Sequence, residues 1–398
     1  MMTGSLNGIR VLDFTHALGG PFCTLLLRDL GAEIIKVEKP GTGDIARGRA
    51  PQTKANESGT FIMLNRGKKS ITLNLKSKKG IDICKNLIQK ADVLVENFST
   101  GTMEKLGLSS QEMCKLNPGL IYASLSSFGH TGPYRMEAGY DPIAQAMGGL
   151  TTLTGYPDRP PVKAGPPIAD LGTGVFVALA IVSALRHKAN TGEGQVIDIS
   201  MQDAIWLFTA IEFASNYFIE GVTPKRYGNA VPHTTPSDLY TAKDGFVIIA
   251  TLEVSQVKSL FRSIGREDLI NSPFCTEQKD RLKYRDQLDP LIENWTKTKN
   301  MQEIVEVLKK NEVPCTLVPS YDMVCNDPQL LSREMIIEVE QPLSGKVKTP
   351  GSPFKLSKTP GNVNFPAPRL GESNHEIYSE MLGYSEQDIL QLEKDRVI

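Results

Sequence analysis

The segment IRVLDFTHALGGPFCTLLLRDLGAEIIKVE, residues 9–38, contains two apolar runs on either side of an amphipathic stretch. Ile9–Phe14 and Glu33–Glu38 are short and rich in β-branched residues, which favours buried strands. Phe22–Leu30 has apolar residues at helical spacing and is followed by Gly31, a residue type that often ends helices. A strand, a helix and a second strand in this order predict a parallel β-α-β unit.

The same alternation continues along the next part of the chain. The predicted elements are helices at Lys78–Ala91, Gly174–His187 and Met201–Ile219 and strands at Val93–Val95, Leu120–Leu125 and Gln195–Ser200. Strands and helices in alternation indicate a parallel sheet with helices on both faces. We therefore predict the α/β fold class, with a Rossmann-like parallel-sheet large domain whose first part is residues 1–221.

A second domain is indicated after Gly221–Pro236, which is rich in proline, glycine and polar residues and suggests a linker or an ordered loop. Beyond it, Asp244-Gly245 between two apolar runs predicts a β-hairpin with a tight turn. Helical patterns follow at Ser255–Ile264 and Met301–Lys310. These patterns predict a smaller α+β domain over residues 222–335.

Residues 336–398 form a C-terminal segment that we expect to return to the large domain. Five prolines punctuate this segment, so it is expected to run extended over a surface: Pro350, Pro353, Pro360, Pro366 and Pro368. Two short helices are predicted at its end, near His375–Leu382 and Ser385–Glu393.

The composition is that of an ordinary soluble protein. The 398 residues are 40% hydrophobic and 22% charged, and the net charge of -1 does not indicate a nucleic-acid or membrane-surface partner. Apolar stretches such as Val175–Leu185 are too short to span a bilayer, and the N-terminus lacks the pattern of a signal peptide. Six cysteines occur without a C-x-x-C pair, which is typical of a reducing compartment. We expect a cytoplasmic enzyme or binding protein.

Several common functional motifs are missing from the sequence. No G-x-G-x-x-G follows the first strand, and no G-x-x-x-x-G-K-[ST] occurs, so nucleotide binding by those loops is not supported. No H-E-x-x-H or close Cys/His cluster predicts a metal site. The G-x-S-x-G motif of serine hydrolases is also lacking. A functional site, if present, is therefore of a less common kind or is dispersed along the chain.

Asp170 is the candidate catalytic residue with the most informative surroundings. It lies just before a strongly apolar helical pattern, with Gly172 and Gly174 two and four positions further on. In one interpretation Asp170 is simply the helix N-cap, since aspartate is among the best capping residues. In the other, the helix N-terminus favours the ionised carboxylate, which is a nucleophile, and free backbone amides can stabilise an oxyanion. The two interpretations are compatible.

A series of motifs in the same order and at similar spacing resembles class III CoA-transferases, the CaiB/BaiF family that includes formyl-CoA transferase and carnitine CoA-transferase. The matching segments are Val11–His16, Gly20-Pro21, Asp29–Glu33, Lys36–Glu38, Pro40-Gly41, Asn65–Ser70, Ala91–Val93, Glu96–Phe98, Asn117-Pro118, Thr191–Gln195, Met201–Ala204 and Leu370–Glu372. One such motif would be a weak signal, but this many in order cover nearly the whole chain. The resemblance implies an acyl-CoA:carboxylate CoA-transferase.

The resemblance implies that Asp170 attacks an acyl-CoA thioester and forms an acyl-aspartyl anhydride. The released CoA thiolate then forms an aspartyl-CoA thioester, which the acceptor acid attacks in turn. A thioester and a carboxylate exchange with little net change in free energy, so the family needs no ATP or metal. No permanently bound cofactor is expected, and a coenzyme A thioester is a substrate.

Matching the family motifs residue by residue also implies a CoA site in the large domain. The residues implied in substrate or CoA binding are His16, Ala17, Leu18, Gly19, Lys39, Leu73, Lys76, Asn97, Phe98, Lys105, Tyr140 and Asp141. The lysines would face phosphate groups as point charges, and the Asn97 amide would meet the pantetheine chain.

Each of these residues also has a structural interpretation. A lysine alone is more often a solvated surface charge, and Phe98 is equally well a core residue. His16 can be a structural histidine that caps the loop before Pro21. Asp141 either orients the bound carboxylate or the surroundings of Asp170, or caps the helix that follows. Arg47 and Arg49, close to Asp44, are candidates for contact with an acidic substrate.

Two alternative functions stay open at this point. The α-methylacyl-CoA racemases of the same superfamily have a histidine where this chain has Tyr140, and tyrosine is a poor base near pH 7 because its reference pKa is about 10. A non-catalytic acyl-CoA-binding protein would have lost the nucleophile, whereas Asp170 is present. Leu18 replaces a glutamine of formyl-CoA transferase, which argues against a role specific for oxalate or formate. Finally, the resemblance implies a homodimer of interlocked subunits.

Overall fold

The computed structural model describes residues 4–398 and divides into two compact units. The large unit comprises the residues up to Leu150, Lys163–Gly221 and Pro328–Ile398, and the small unit comprises Thr151–Val162 and Val222–Asp327. Compared with the domain boundaries expected from the sequence, residues 328–335 lie in the large unit and residues 151–162 in the small one.

The strands, in chain order, are β1 (Arg10–Asp13), β2 (Glu33–Glu38), β3 (Lys69–Thr72), β4 (Val93–Glu96), β5 (Ile121–Ser126), β6 (Val196–Ser200), β7 (Ser237–Thr241), β8 (Phe246–Ala250), β9 (Cys315–Leu317), β10 (Ile336–Gln341) and β11 (Gly345–Pro350). The first six form one parallel sheet in the order β3-β2-β1-β4-β5-β6. The predicted α/β class with a parallel sheet is therefore confirmed.

The α-helices, in chain order, are α1 (Gly19–Asp29), α2 (Gly59–Asn65), α3 (Lys78–Gln89), α4 (Thr102–Lys105), α5 (Ser110–Leu116), α6 (Asp141–Met147), α7 (Leu150–Leu153), α8 (Ile168–Thr191), α9 (Met201–Glu220), α10 (Val254–Ser263), α11 (Gln278–Arg281), α12 (Arg285–Thr296), α13 (Met301–Lys310), α14 (Tyr321–Val324), α15 (Pro328–Ser332) and α16 (Glu386–Lys394). Short 3₁₀ turns lie at Ile45–Gly48, Glu267–Leu269, Pro273–Cys275 and Leu282–Tyr284, and a π-helical turn at Glu376–Met381.

The parallel sheet of the large unit is buried on both faces. One face packs on α3, α5 and the C-terminal helix α16, and the other on α1, α8 and α9. Strand β4 is buried along its whole length, which explains why its sequence is a continuous apolar run rather than an alternating one.

Helix α8 begins at Ile168, before the predicted start at Gly174. Glycine has a low helix propensity, so Gly172 and Gly174 weaken the helical pattern of the first turns in the sequence. A Cβ atom at Gly174 would lie 2.7 Å from the carbonyl oxygen of Gly19, so this glycine lets α8 approach α1 closely. By length and composition alone, the 24-residue helix could cross a bilayer. The shorter run Val175–Leu185, considered above, is only part of this helix. Here it packs on α1 and β5.

In the small unit, β7, β8 and β9 form an antiparallel sheet. The predicted hairpin is present as β7 and β8, joined through Asp244-Gly245. Its core is formed by apolar residues of the sheet and of α10, α12 and α13.

The C-terminal segment lies against the edge of the parallel sheet. The hydroxyl group of Tyr378 donates to the carbonyl oxygen of Thr72 at 2.6 Å, and Asn74 N–H donates to the carbonyl oxygen of Val397 at 2.7 Å. The hairpin of β10 and β11 was not predicted, because the prolines from Pro350 onward indicated an extended tail.

Candidate active site

The order of the parallel strands reverses between β1 and β4, and such a reversal opens a crevice at the carboxyl ends of the strands. His16 follows β1 and Asn97 follows β4. The backbone N–H of His16 donates to Asn97 Oδ1 at 3.0 Å, and Asn97 Nδ2 donates to the carbonyl oxygen of His16 at 2.9 Å. The Asn97 amide therefore supports the loop after β1 rather than pointing freely into the crevice.

A groove of about 310 Å³ lies at this edge of the sheet, entirely within the large unit. Five of the residues implied by the resemblance line it together: His16, Lys39, Leu73, Lys76 and Phe98. The rings of His16 and Phe98 are 5.3 Å apart between centroids, and Lys39 and Lys76 are exposed. The groove thus combines an apolar lining with ammonium groups that are free to meet an anion.

The other implied residues lie outside the groove lining. Lys105 is exposed on α4, although Thr102 and Leu106 beside it do line the groove. Tyr140 is 76% exposed, at the start of α6. Ala17, Leu18 and Gly19 continue from His16 into α1 and lead toward Asp170.

Buried ion pairs support the loop that follows β1. Lys36 Nζ donates to the carbonyl oxygen of Thr15 at 2.6 Å and pairs with Asp44 at 2.9 Å. Asp13 accepts from Thr15 N–H at 2.9 Å and pairs with Lys68 at 3.1 Å. Burial alone would raise the pKa of Asp13, but Lys36 and Lys68 lower it to about 2. A buried charge without a partner is strongly disfavoured. Movement of the loop would separate these pairs, so they hold its backbone in place.

The loop itself contains a strained residue. Ala17 has φ of 68°, a left-handed conformation that is uncommon for residues other than glycine. Its N–H donates to Asp44 Oδ1 at 3.0 Å, and the same oxygen accepts from Ala46 N–H at 2.8 Å. Asp44 therefore fastens the loop to the 3₁₀ turn Ile45–Gly48. Backbone strain of this kind is typical of functional sites.

Asp170 lies where the N-termini of α1 and α8 meet. The helix α8 has Pro167 as its N-cap, so Asp170 is the third helical residue and the N-cap interpretation is wrong. The backbone amide of Gly19, the first residue of α1, hydrogen bonds to the Asp170 carboxylate. A Cβ atom at Gly19 would lie 3.1 Å from Asp170 Oδ1, so only glycine leaves room for this contact without displacement.

Asp141 caps the helix that carries Asp170. Its Oδ1 accepts from the N–H groups of Ala169 at 2.8 Å and Asp170 at 3.3 Å. Gln145 Nε2 donates to Asp141 Oδ2 at 2.7 Å and holds the carboxylate in place. Sequence reasoning placed Asp141 near the active site or at the start of its own helix, and it missed Gln145. The i, i+4 spacing on one helix face was the available signal.

The electrostatic surroundings make Asp170 unusually basic for an aspartate. Burial and then the negative charge of Asp141 raise the pKa of Asp170 to about 6, against the opposing effects of Arg49 and the Gly19 amide. At pH 7 a carboxyl group with this pKa is still about nine-tenths ionised. The site therefore presents an ionised, relatively basic carboxylate at the start of two helices, which suits nucleophilic attack. Among residues 4–398, no three His, Cys, Asp or Glu side chains are grouped as metal ligands.

Comparison with known proteins supports a single family. The family model of CoA-transferase family III matches residues 6–374. A succinyl-CoA–D-citramalate CoA-transferase of Chloroflexus aurantiacus is 37% identical over 395 residues, covering 99% of this chain and 98% of that protein. A formyl-CoA:oxalate CoA-transferase of Rhodopseudomonas palustris is 35% identical, covering 98% of this chain and 96% of that protein.

Solved structures agree with this result. A CaiB/BaiF family protein from Brucella suis superimposes with a TM-score of 0.85 at 35% identity, covering 95% of this chain and all of that one. A protein from Mycobacterium tuberculosis gives a TM-score of 0.83 at 31% identity, covering 94% of this chain and 99% of the other. The chain thus belongs to CoA-transferase family III and is a CoA-transferase.

Proposed function

We propose that this enzyme moves CoA from an acyl-CoA donor to a carboxylic acid acceptor through covalent intermediates on Asp170. The observation that carries the proposal is the Asp170 carboxylate itself, which accepts from Gly19 N–H and has a raised pKa. A nucleophile must be ionised to attack, and a more basic carboxylate is a better nucleophile.

The proposed steps balance without any other reactant. An Asp170 oxygen attacks the thioester carbonyl, the C–S bond breaks, and CoA leaves as a thiolate with a mixed anhydride on Asp170. The thiolate attacks the aspartyl carbonyl, which gives the aspartyl-CoA thioester and releases the donor acid as a carboxylate. The acceptor carboxylate repeats the sequence in reverse, and Asp170 is regenerated. No proton is gained or lost overall.

The Gly19 amide has a second role in this scheme. When the Asp170 carboxyl is attacked, one of its oxygens becomes an oxyanion. An N–H group that already points at the carboxylate can stabilise that charge without reorganisation. The position of Asp170 within the first turn of α8 adds the positive end of the helix dipole.

We propose the groove between His16 and Lys76 as the CoA site. Lys39 and Lys76 would pair with phosphate groups, and the apolar wall around Phe98 and Leu73 suits the less polar parts of the cofactor chain. Burial lowers the pKa of His16, so its ring is neutral at pH 7 and packs against Phe98.

We further propose that the protein is a cytoplasmic homodimer with no membrane or nucleic-acid partner. Large apolar side chains are exposed on α8 and α9 of the large unit, among them Leu179 (64% exposed), Ile211 (77%) and Phe218 (69%). Exposed apolar patches of this kind mark interaction surfaces, and a second copy is the partner that the family resemblance implies. All six cysteines are free, as expected in a reducing compartment.

Trapping of the covalent intermediate tests the catalytic proposal. The enzyme is mixed with succinyl-CoA, acetyl-CoA and other thioesters, treated with hydroxylamine or borohydride, and analysed by intact-protein mass spectrometry. We expect modification of the wild type that maps to Asp170 and is lost in Asp170→Ala. Absence of any Asp170 adduct, together with deuterium exchange at the α-carbon of a branched acyl-CoA, would replace the transferase by the racemase alternative.

A further inference from the structure

Arg49 stands directly after the 3₁₀ turn that borders the groove. Its backbone N–H donates to the carbonyl oxygen of Ala46 at 3.2 Å and closes the turn Ile45–Gly48. Asp44 ties this turn to the strained Ala17, two residues before Gly19. The backbone position of Arg49 is thereby fixed relative to the loop that leads to Asp170.

The guanidinium group of Arg49 does not contribute to the packing or hydrogen bonding of the described residues. Within residues 4–398 it makes no side-chain hydrogen bond or ion pair, and the side chain is exposed. Arg47, two residues earlier, is fully engaged: it makes two 2.7 Å bonds to Glu38, and its guanidinium lies 3.7 Å from the ring centroid of Phe61. Of the two arginines considered from the sequence, Arg47 is structural and only Arg49 is available to a ligand.

Arg49 acts electrostatically on both sides of the reaction centre. Burial and then the charge of Asp141 raise the pKa of Asp170, and the charge of Arg49 opposes them. Burial is also the main reason for the lowered pKa of His16, and Arg49 lowers it further. The backbone geometry near this arginine agrees with both effects. Asp44 and Ile45, in the segment that it ends, line the groove, and the Asp44 carboxylate accepts from Ala17 N–H at 3.0 Å. Two residues further on, a Cβ atom at Gly19 would lie 3.1 Å from Asp170 Oδ1, so this segment connects the groove to Asp170.

We propose that Arg49 binds the remote carboxylate of a dicarboxylic acyl group, so that the enzyme selects dicarboxylic acids over monocarboxylic acids of the same length. The inference rests on the proposed function, because it assigns the acyl group that Asp170 accepts. The reacting carboxyl end of the substrate is consumed at Asp170, so a second carboxylate on the acyl chain needs a cation of its own. An arginine offers a planar pair of donors that matches a carboxylate, and its exposed, unpaired state leaves those donors free.

The test compares acyl-CoA pairs that differ only in a terminal carboxylate or methyl group: malonyl and propionyl, succinyl and butyryl, glutaryl and valeryl. The initial rate of Asp170 labelling is measured for wild type, Arg49→Gln, Arg49→Lys and Arg186→Gln. Arg186 is an exposed arginine of α8 that hydrogen bonds only to Asn190, and it lies about 24 Å from Asp170 along the helix.

We expect the wild type to label faster with the dicarboxylic member of at least one pair. Arg49→Gln should reduce that preference by about 10- to 100-fold, the range for loss of a charge-assisted hydrogen bond, with labelling by the monocarboxylic member changed much less. Arg49→Lys should restore part of the preference, and Arg186→Gln should leave it intact. The pH at which labelling is half-maximal should also rise in Arg49→Gln, because a cation that favours the ionised Asp170 has been removed.

The outcomes separate the two proposals. If no thioester labels Asp170 in the wild type, the proposed function fails. If Asp170 is labelled but the methyl-terminated member is preferred in every pair, or Arg49→Gln slows both members equally, only the role of Arg49 is overturned.

Discussion

At the scale of single residues, the site is centred on one carboxylate, Asp170, that burial and then a second carboxylate, Asp141, make more basic. The two oxygens of Asp141 have different partners. One accepts from the N–H groups of Ala169 and Asp170 and caps α8, and the other accepts from the side chain of Gln145. Burial and then the negative charge of Asp141 raise the pKa of Asp170, which suits the proposed role of that carboxylate as a nucleophile. The same side chain, Asp141, therefore caps α8 and contributes to the raised pKa of Asp170.

This arrangement predicts a specific pH dependence. Asp170 reacts only when ionised, so its rate of acylation should be lost as the pH falls through about 6. In Asp141→Asn the side chain keeps a carbonyl oxygen for the helix amides but loses its charge. The midpoint should therefore move below that of the wild type. Single-turnover acylation between about pH 4 and 8, roughly two pH units either side of the midpoint, measures it.

The control for this experiment is Asp82→Asn, an exposed position on α3, which should leave the midpoint unchanged. A midpoint that stays the same or rises in Asp141→Asn would show that Asp141 does not tune Asp170 electrostatically.

At the scale of elements, the site is formed by close contact between two helices. The N-termini of α1 and α8 meet because Gly19 and Gly174 have no side chains to separate them. Only at such a short separation can the first amide of α1 reach a carboxylate on the first turn of α8.

Gly174→Ala tests this contact. The added methyl carbon would lie 2.7 Å from the Gly19 carbonyl oxygen and 3.2 Å from Phe22 Cδ1, so the helices must separate. We expect a loss of about 1–3 kcal/mol in the free energy of unfolding, the usual cost of overpacking, and slower acylation of Asp170. Denaturant titration and the labelling assay measure the two effects. In Gly48→Ala the methyl group meets nothing within 4 Å, and both properties should be retained; equal behaviour of the two variants would contradict the packing argument.

Sequence patterns predicted elements better than they predicted contacts. Strand β2 and helix α13 have the predicted bounds, because each has a regular apolar period and clear ends. Strand β3 was missed, since Lys69 and Ser70 interrupt its apolar pattern, although it is buried by neighbouring elements.

The site was predictable only in part. Asp170 stands out in the sequence because it is a carboxylate at the start of a long apolar helical pattern. Its partner Asp141 is 29 residues away, and their contact depends on how α6 packs against α8. The hydrogen bonds between Asn97 and the His16 backbone are likewise a tertiary contact, made where the strand order reverses. A local pattern of apolar residues carries no information about such a contact.

At the scale of the whole molecule, the exposed apolar residues of α8 and α9 predict self-association. Light scattering on a sizing column should give a mass of about 87 kDa for the wild type, twice the 43.7 kDa of one chain. Ile211→Asp introduces a charge on the exposed face of α9 and should shift the protein to the monomer mass or reduce its soluble yield. Leu390→Asp, at an isolated exposed position on α16, should not.

A wild-type mass of 43.7 kDa would refute the dimer. An intact dimer in Ile211→Asp, with unchanged yield, would place the interface on another surface.

The last residues of the described chain bear on how the groove is completed during synthesis. Asn74, which lines the groove, is hydrogen bonded through its backbone to Val397. The ribosome must therefore add 176 more residues after Gly221 (397 minus 221) before Val397 is present to support this wall. At 5–20 residues per second, that takes about 9 to 35 s. During this interval the nascent chain already carries Asp170 and its helix, whereas the groove wall at Asn74 still lacks its hydrogen bond to Val397.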